Sequence, residues 1–351
     1  MILPLSQCLS SQRLYMLFFK FAESAKYLSA HASSSPNRLS SLLSLLSLLS
    51  FLSFSLPRRG YADPTKNANV SLHEPRPNSR GKNLHVGQTH CKQIYHKEPL
   101  MGSLDSYAQE LGCHGLMIPP FSNIGILEEL IEILRQAPAD LDEKLATVLS
   151  RVYTPAHLAA MVISRYANTK VIDLYAETIS ESIEAHLLGL DHIAVAGLMP
   201  VIEGVVVRLS LQNGISAKKN TRQKFSSLVS CAIERNKTVK AGAFQEVESM
   251  LMAFLNFLEN YFWEGSSSYP LSDKTNRHGI LHGAYSDADY GYHINFYKTL
   301  TAVDMLCWIS EFQPFQPKPT GESRALTAYY LMMMDYRTRA KFAAKRLTFE
   351  R

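Results

Sequence analysis

Residues 276–283 read Asn-Arg-His-Gly-Ile-Leu-His-Gly and concentrate the side chains best suited to chemistry. Arg277 is a permanent cation whose planar fork matches phosphate oxygens, while the imidazoles of His278 and His282 titrate near neutrality and can move a proton. Metal-free RNA cleavage needs both kinds of group: a base for the 2′-hydroxyl proton and a cation for the charge that builds on phosphorus. Lys218, Lys219, Arg222 and Lys224, in the basic stretch 217–240, would track an RNA backbone, and residues 337–351 form a second basic run. Either run also fits a plain solvated face. Five residues on an α-helix turn through about 500°, which sets Arg277 and His282 roughly 140° apart and gives them no shared face. His278 and His282, four apart, do share one and could hold a metal with Asp287, Asp289 or His293. A zinc-protease glutamate and a fixed third ligand are both missing, so the expectation is no metal. A purely architectural alternative stands beside the chemical one: Arg277 pairs with Glu203 inside a bundle, the histidines donate to carbonyls, and Asn276 caps a short helix.

Arg277, a polar residue, three more and His282 resemble the ribonuclease motif of the HEPN superfamily, over roughly residues 170–312. The chain also resembles a group of uncharacterised, mostly bacterial proteins in which Asn-Arg-His-x-x-Leu-His-Gly is followed by Asp-Tyr-Gly, here Asp289-Tyr290-Gly291. Those proteins carry an upstream Pro-x-x-Glu-Gly element, here Pro200 to Gly204. The resemblance implies that His282 is the base, that Arg277 holds the scissile phosphate, and that His278 and Asn276 orient them. It further implies Glu203 as a brace for Arg277, Asp289 and Tyr290 in support, and a homodimer whose two motifs face each other. The function expected on this basis is a metal-independent endoribonuclease without cofactor, acting in defence or stress response. The competing expectation is a non-catalytic helical module that binds RNA, a nucleotide or a partner protein.

The elements that must position these residues are helical. Ile124, Leu127, Leu130, Ile131 and Leu134 recur at helical spacing behind a serine or asparagine cap. A helix over 141–152 follows, and Thr154-Pro155 supplies a cap and a first-turn proline for a helix through Tyr166. Further helices are predicted over 173–188, 191–212, 243–262 and 293–311. The helix over 191–212 is apolar enough to lie at the centre, with a bend at Pro200. No stretch alternates as a strand, so the fold class is all-α, an antiparallel bundle of HEPN-like type preceded by a largely disordered N-terminal region. Residues 100–169 read as an N-terminal helical subdomain and 170–312 as the bundle. Residues 313–351 read as a Pro-rich linker and basic tail, in which Ala325–Arg351 can form one more helix and Met332-Met333-Met334 serves packing.

Residues 1–60 carry six basic residues and one acid, Glu23, with abundant serine and leucine. Three readings fit them: an organellar presequence ending near Arg59-Gly60-Tyr61-Ala62, a weak membrane segment over Leu39–Leu56, or a stretch upstream of a start at Met101. Residues 61–99 are polar, contain Pro64, Pro75 and Pro77, and read as a disordered linker. No membrane association is expected for residues 100–351, and the expected location is cytoplasmic, with a mitochondrial or membrane-anchored one as the alternative. Hydrophobic residues at 46% and charged residues at 19% are those of a globular protein with a sizeable core. Five scattered cysteines offer neither a disulfide framework nor a thiolate zinc site, and a reducing compartment fits them best. Phosphate-binding glycine loops, dinucleotide fingerprints, Cys-x-x-Cys pairs and nucleophile elbows are all missing, which argues against a small-molecule cofactor enzyme.

Overall fold

A computed structural model describes residues 103–239, 244–312 and 319–349, with side chains to 340. The expectations for residues 1–60 and 61–99 lie outside the described residues. Those described fold as an all-α bundle without a strand. The elements are α1 (Leu104–Gly112), α2 (Ile124–Gln136), α3 (Leu141–Val152), α4 (Pro155–Met161), α5 (Ala176–Leu187) and α6 (Asp191–Gln212). They continue with α7 (Thr221–Val239), α8 (Phe244–Phe257), α9 (Arg277–Leu281), α10 (His293–Glu311) and α11 (Gly321–Phe349). Single π-turns over Val162–Tyr166 and Leu258–Phe262 extend α4 and α8.

Local chemistry explains the helix starts. Asn123 caps α2 by accepting the Ile126 N–H at 3.0 Å, and Thr154 caps α4 by accepting that of His157 at 3.2 Å, with Pro155 in the first turn. Packing then ranks the helices. Every residue of α10 from Ile294 to Ile309 is buried, and α6, packed against α5, α7 and α10, buries half of its length. These two form the centre, since a helix that is apolar all round has no stripe to give to water. Pro200 lies inside α6 on its exposed side, and the helix is continuous through it. Among the described residues α6 alone has the length and hydropathy to cross a membrane, and 56% of its most apolar stretch is buried within the bundle.

The C-terminal segment forms the further helix that its sequence allows: α11 starts four residues before Ala325 and packs on α4 and α5, with Tyr330 fully buried. Its apolar positions Leu326, Tyr330 and Met333 are spaced three and four apart, a stripe obscured in sequence by the neighbouring methionines and tyrosines. Among the described residues Cys231 and Cys307 are free thiols.

Helices on either side of residue 170 share one core. The Tyr153 and Tyr166 hydroxyls donate to the buried Asp304 carboxylate of α10 at 3.0 and 2.7 Å, and Arg165 donates to Glu311 at 2.7 Å.

Candidate functional site

The motif is held from behind by a buried polar lock. Lys298 of α10 donates to Asp273 at 2.9 Å and to the His114 carbonyl at 2.8 Å. Tyr269 and Thr275 donate to the same carboxylate, and Asn295 reaches the Asp273 carbonyl at 2.6 Å and Thr275 at 2.7 Å. Buried charges require this degree of pairing, and here it fixes the loop that enters α9. Asn276 completes the frame. Its side chain accepts the Gly279 N–H at 2.7 Å as the helix cap and donates to the carbonyls of Tyr261 and Glu264 at 3.1 and 2.6 Å. It is fully buried, so it positions the motif and touches nothing outside the protein.

Glycines admit the close contacts around α9. A methyl at Gly279 would overlap the Tyr285 ring, and one at Gly204 of α6 would overlap the Tyr175 hydroxyl. The chain leaves α9 through His282, at φ −101° and ψ 8°, and Gly283, at φ 68°.

Arg277 forms an ion pair with Glu203, Nε against Oε1, and its Nη2 donates to Oε2 at 3.3 Å. The guanidinium lies over the Trp263 ring, 4.9 Å from the centroid. Its remaining edge faces the histidines: Nη1 is 3.3 Å from His278 Nδ1 and 3.1 Å from His282 Nε2. A guanidinium only donates, so both ring nitrogens carry lone pairs towards it and both imidazoles are neutral in this arrangement. Burial first, then the charge of Arg277 and the neighbouring His282, hold the pKa of His278 below the ordinary imidazole value. His282 is exposed and stacks beside His278 at 5.8 Å. Arg277 and His282 therefore meet although an ideal helix would separate them. The long arginine side chain folds across α9, and His282 stands just past its end.

The remaining expected residues divide. Arg222, in the first turn of α7, donates to the Glu259 carbonyl at 3.0 Å, and its charge acts on His278. Lys218 and Lys219 are exposed on the loop before α7, Lys219 donating to Ser227 at 2.7 Å, while Lys224 is half-buried. Asp289 accepts the Ser286 N–H and hydroxyl, both at 2.8 Å, and closes a turn; Tyr290 packs edge-on against His192. Both shape the loop after the motif and do not touch Arg277 or His282. Asp287 accepts from His192 through its carbonyl at 3.1 Å, and His293 turns to Asp191, so neither completes a metal site with the motif histidines. Trp263 escaped the sequence reading; its only signal was an aromatic residue directly after a core helix. No family model, curated protein or solved structure matches this chain.

Proposed function

We propose that this surface is the active site of a metal-independent endoribonuclease of HEPN type, acting in the cytoplasm in defence or stress response. The observation that carries the reading is the Arg277 Nη1 edge held against the lone pairs of His278 and the exposed His282. A neutral imidazole beside a fixed cation is a base next to the place where negative charge would develop. On RNA binding Arg277 Nη1 turns from the His282 lone pair to a phosphoryl oxygen, His282 takes the 2′-hydroxyl proton, the 2′-oxygen attacks phosphorus, and the 5′-oxygen leaves as it is protonated. Arg277 and Arg222 bear the charge on the phosphoryl oxygens, while Lys218 and Lys219 hold flanking phosphates. Glu203 neutralises much of Arg277, so a second copy facing the first across a two-fold axis would supply the further cation and proton donor.

A second reading rests on the same ion pair. Glu203 and Trp263 hold two sides of the guanidinium as an architectural brace, which fits a non-catalytic module that binds RNA, a nucleotide or a partner protein. Full-length wild type and His282→Ala are incubated with single-stranded and transfer RNA in EDTA. Cleavage by the wild type alone, leaving 2′,3′-cyclic phosphates, supports the nuclease. No cleavage by either protein, with both folded, turns the conclusion to the binding module.

A further inference from the structure

A second cluster of chemistry-bearing side chains lies at the other end of α6. Asp191 opens that helix, His186 is in the last turn of α5, and His293 is the first residue of α10. Both histidines aim Nδ1 at the Asp191 carboxylate, His186 at 2.5 Å and His293 at 3.2 Å, and the three ligand atoms lie within 4.8 Å of one another. Two donors on one tetrahedral zinc ion sit about 3.3 Å apart, given bonds of about 2.0–2.1 Å. The His293 spacing meets that, and the His186 contact opens by under about 1 Å to match it. His186 is fixed by a stack on Phe296, 3.8 Å between centroids, and its Nε2 faces the Tyr297 hydroxyl at 3.3 Å. An oxygen partner on the distal ring nitrogen is what orients a ligating histidine. His186 and Asp191 are buried, while the His293 side chain is 43% exposed and His293 belongs to the wall of a cavity of about 850 Å³. The exposure of His293 leaves an entry path for an ion on that side.

Arg337 of α11 shares the site. Its Nη2 is 3.4 Å from His293 Nε2, and its guanidinium fills the space where a side chain on Gly189 would stand. Because arginine only donates, His293 Nε2 accepts and its Nδ1 carries the proton towards Asp191. A metal on Nδ1 requires the opposite tautomer, with an N–H on Nε2 that cannot face a guanidinium.

We propose that His186, Asp191 and His293 form a binding site for a divalent transition-metal ion of the Zn2+ class, with Arg337 as the internal cation that the ion displaces. The donor set, two imidazoles and one carboxylate, suits such ions better than Mg2+ or Ca2+, which take oxygen ligands. No proton is lost on binding: each neutral imidazole moves its N–H from Nδ1 to Nε2, that of His186 towards the Tyr297 oxygen, and Arg337 swings out. About 18 Å of α6 separates Asp191 from Glu203, so this site is independent of the motif and of the nuclease reading.

The test titrates metal-stripped full-length protein with Zn2+ by calorimetry, and with Co2+ by visible absorption. One ion per chain at micromolar concentration is expected, with at least a hundredfold loss in His293→Ala and no change in His282→Ala. His293 is the most exposed ligand, so its alanine variant should keep the wild-type melting temperature. Arg337→Gln is expected to bind about tenfold more tightly, because it removes the competing charge. The proposal is overturned if the wild type binds no ion, if binding follows His282 instead of His293, or if Arg337→Gln binds no better.

Discussion

At the scale of single residues, Glu203 and Asp304 are two acids that the fold treats in opposite ways. Glu203 is paired with the Arg277 guanidinium, and both partners are about one-fifth exposed. Breaking so enclosed a pair strands a charge. Glu203→Ala is expected to destabilise by about 1–3 kcal/mol, below the 3–5 kcal/mol of a fully buried pair because solvent still reaches this one. Thermal or urea unfolding measures that loss. His282→Ala, at an exposed position, is expected to stay within about 0.5 kcal/mol of wild type. Asp304 sits in the core, where burial pushes its pKa up to about 7 against the hydrogen bonds of Tyr166 and Tyr153 and the charge of Arg165, which pull it down. The unfolded chain releases that proton near pH 4, so the folded state binds the extra proton between the two values. The stability this group contributes is complete below about pH 4 and is lost as pH rises towards about 7. Melting temperatures of wild type and Asp304→Asn should therefore diverge, the variant gaining several degrees on the wild type between pH 5 and pH 8. Parallel curves would show that Asp304 is ionised throughout.

At the scale of elements, α9 is five residues long and cannot hold itself together, since isolated helices of that length do not persist in water. Its conformation is imposed by the Asn276 cap, by the Lys298–Asp273 lock and by Tyr285 against Gly279. Gly279→Ala forces the Tyr285 ring aside and is expected to cost about 1–3 kcal/mol, the range for overpacking. It should also separate Arg277 from His282, read as loss of RNA cleavage at a temperature where the variant is still folded. Lys298→Met leaves Asp273 buried without its cation and is expected to cost about 3–5 kcal/mol by urea unfolding.

At the scale of the whole molecule, α11 belongs to the fold. Tyr330→Ala is expected to lower stability by about 3–5 kcal/mol, the range for removing a large buried aromatic side chain. A chain ending at Phe312 should lose cooperative unfolding or precipitate, because the faces of α4 and α5 that α11 covers would be open to water. RNA association through Lys218, Lys219 and Arg222 should weaken steeply with salt, and the triple substitution to glutamine should flatten that slope by about 2–3 in log–log form. An unchanged slope would place the RNA elsewhere on the surface.

Most of the helices and several of their ends follow from local sequence alone. Apolar spacing of three and four is a property of local geometry, and the caps at Asn123 and Thr154-Pro155 act within one turn, so α2, α3, α6 and α10 could be read directly. The motif was legible as a set of residue types, because a buried asparagine, an arginine and two histidines within eight positions are uncommon in a plain helix. Contacts between distant positions depend on how the helices pack and leave no local pattern. The ideal helix spacing of Arg277 and His282 argued against their meeting, and they meet because a long side chain crosses a helix that stops early. α7 was hidden by its charge, showing as a basic run because only one stripe of it, at Phe225, Leu228, Val229 and Ala232, faces the core. His186, Asp191 and His293 are separated by up to 107 positions and had no pattern to reveal them. Their convergence depends on how the ends of α5, α6 and α10 pack, and the burial of His186 and Asp191 is what makes those two satisfy one another there.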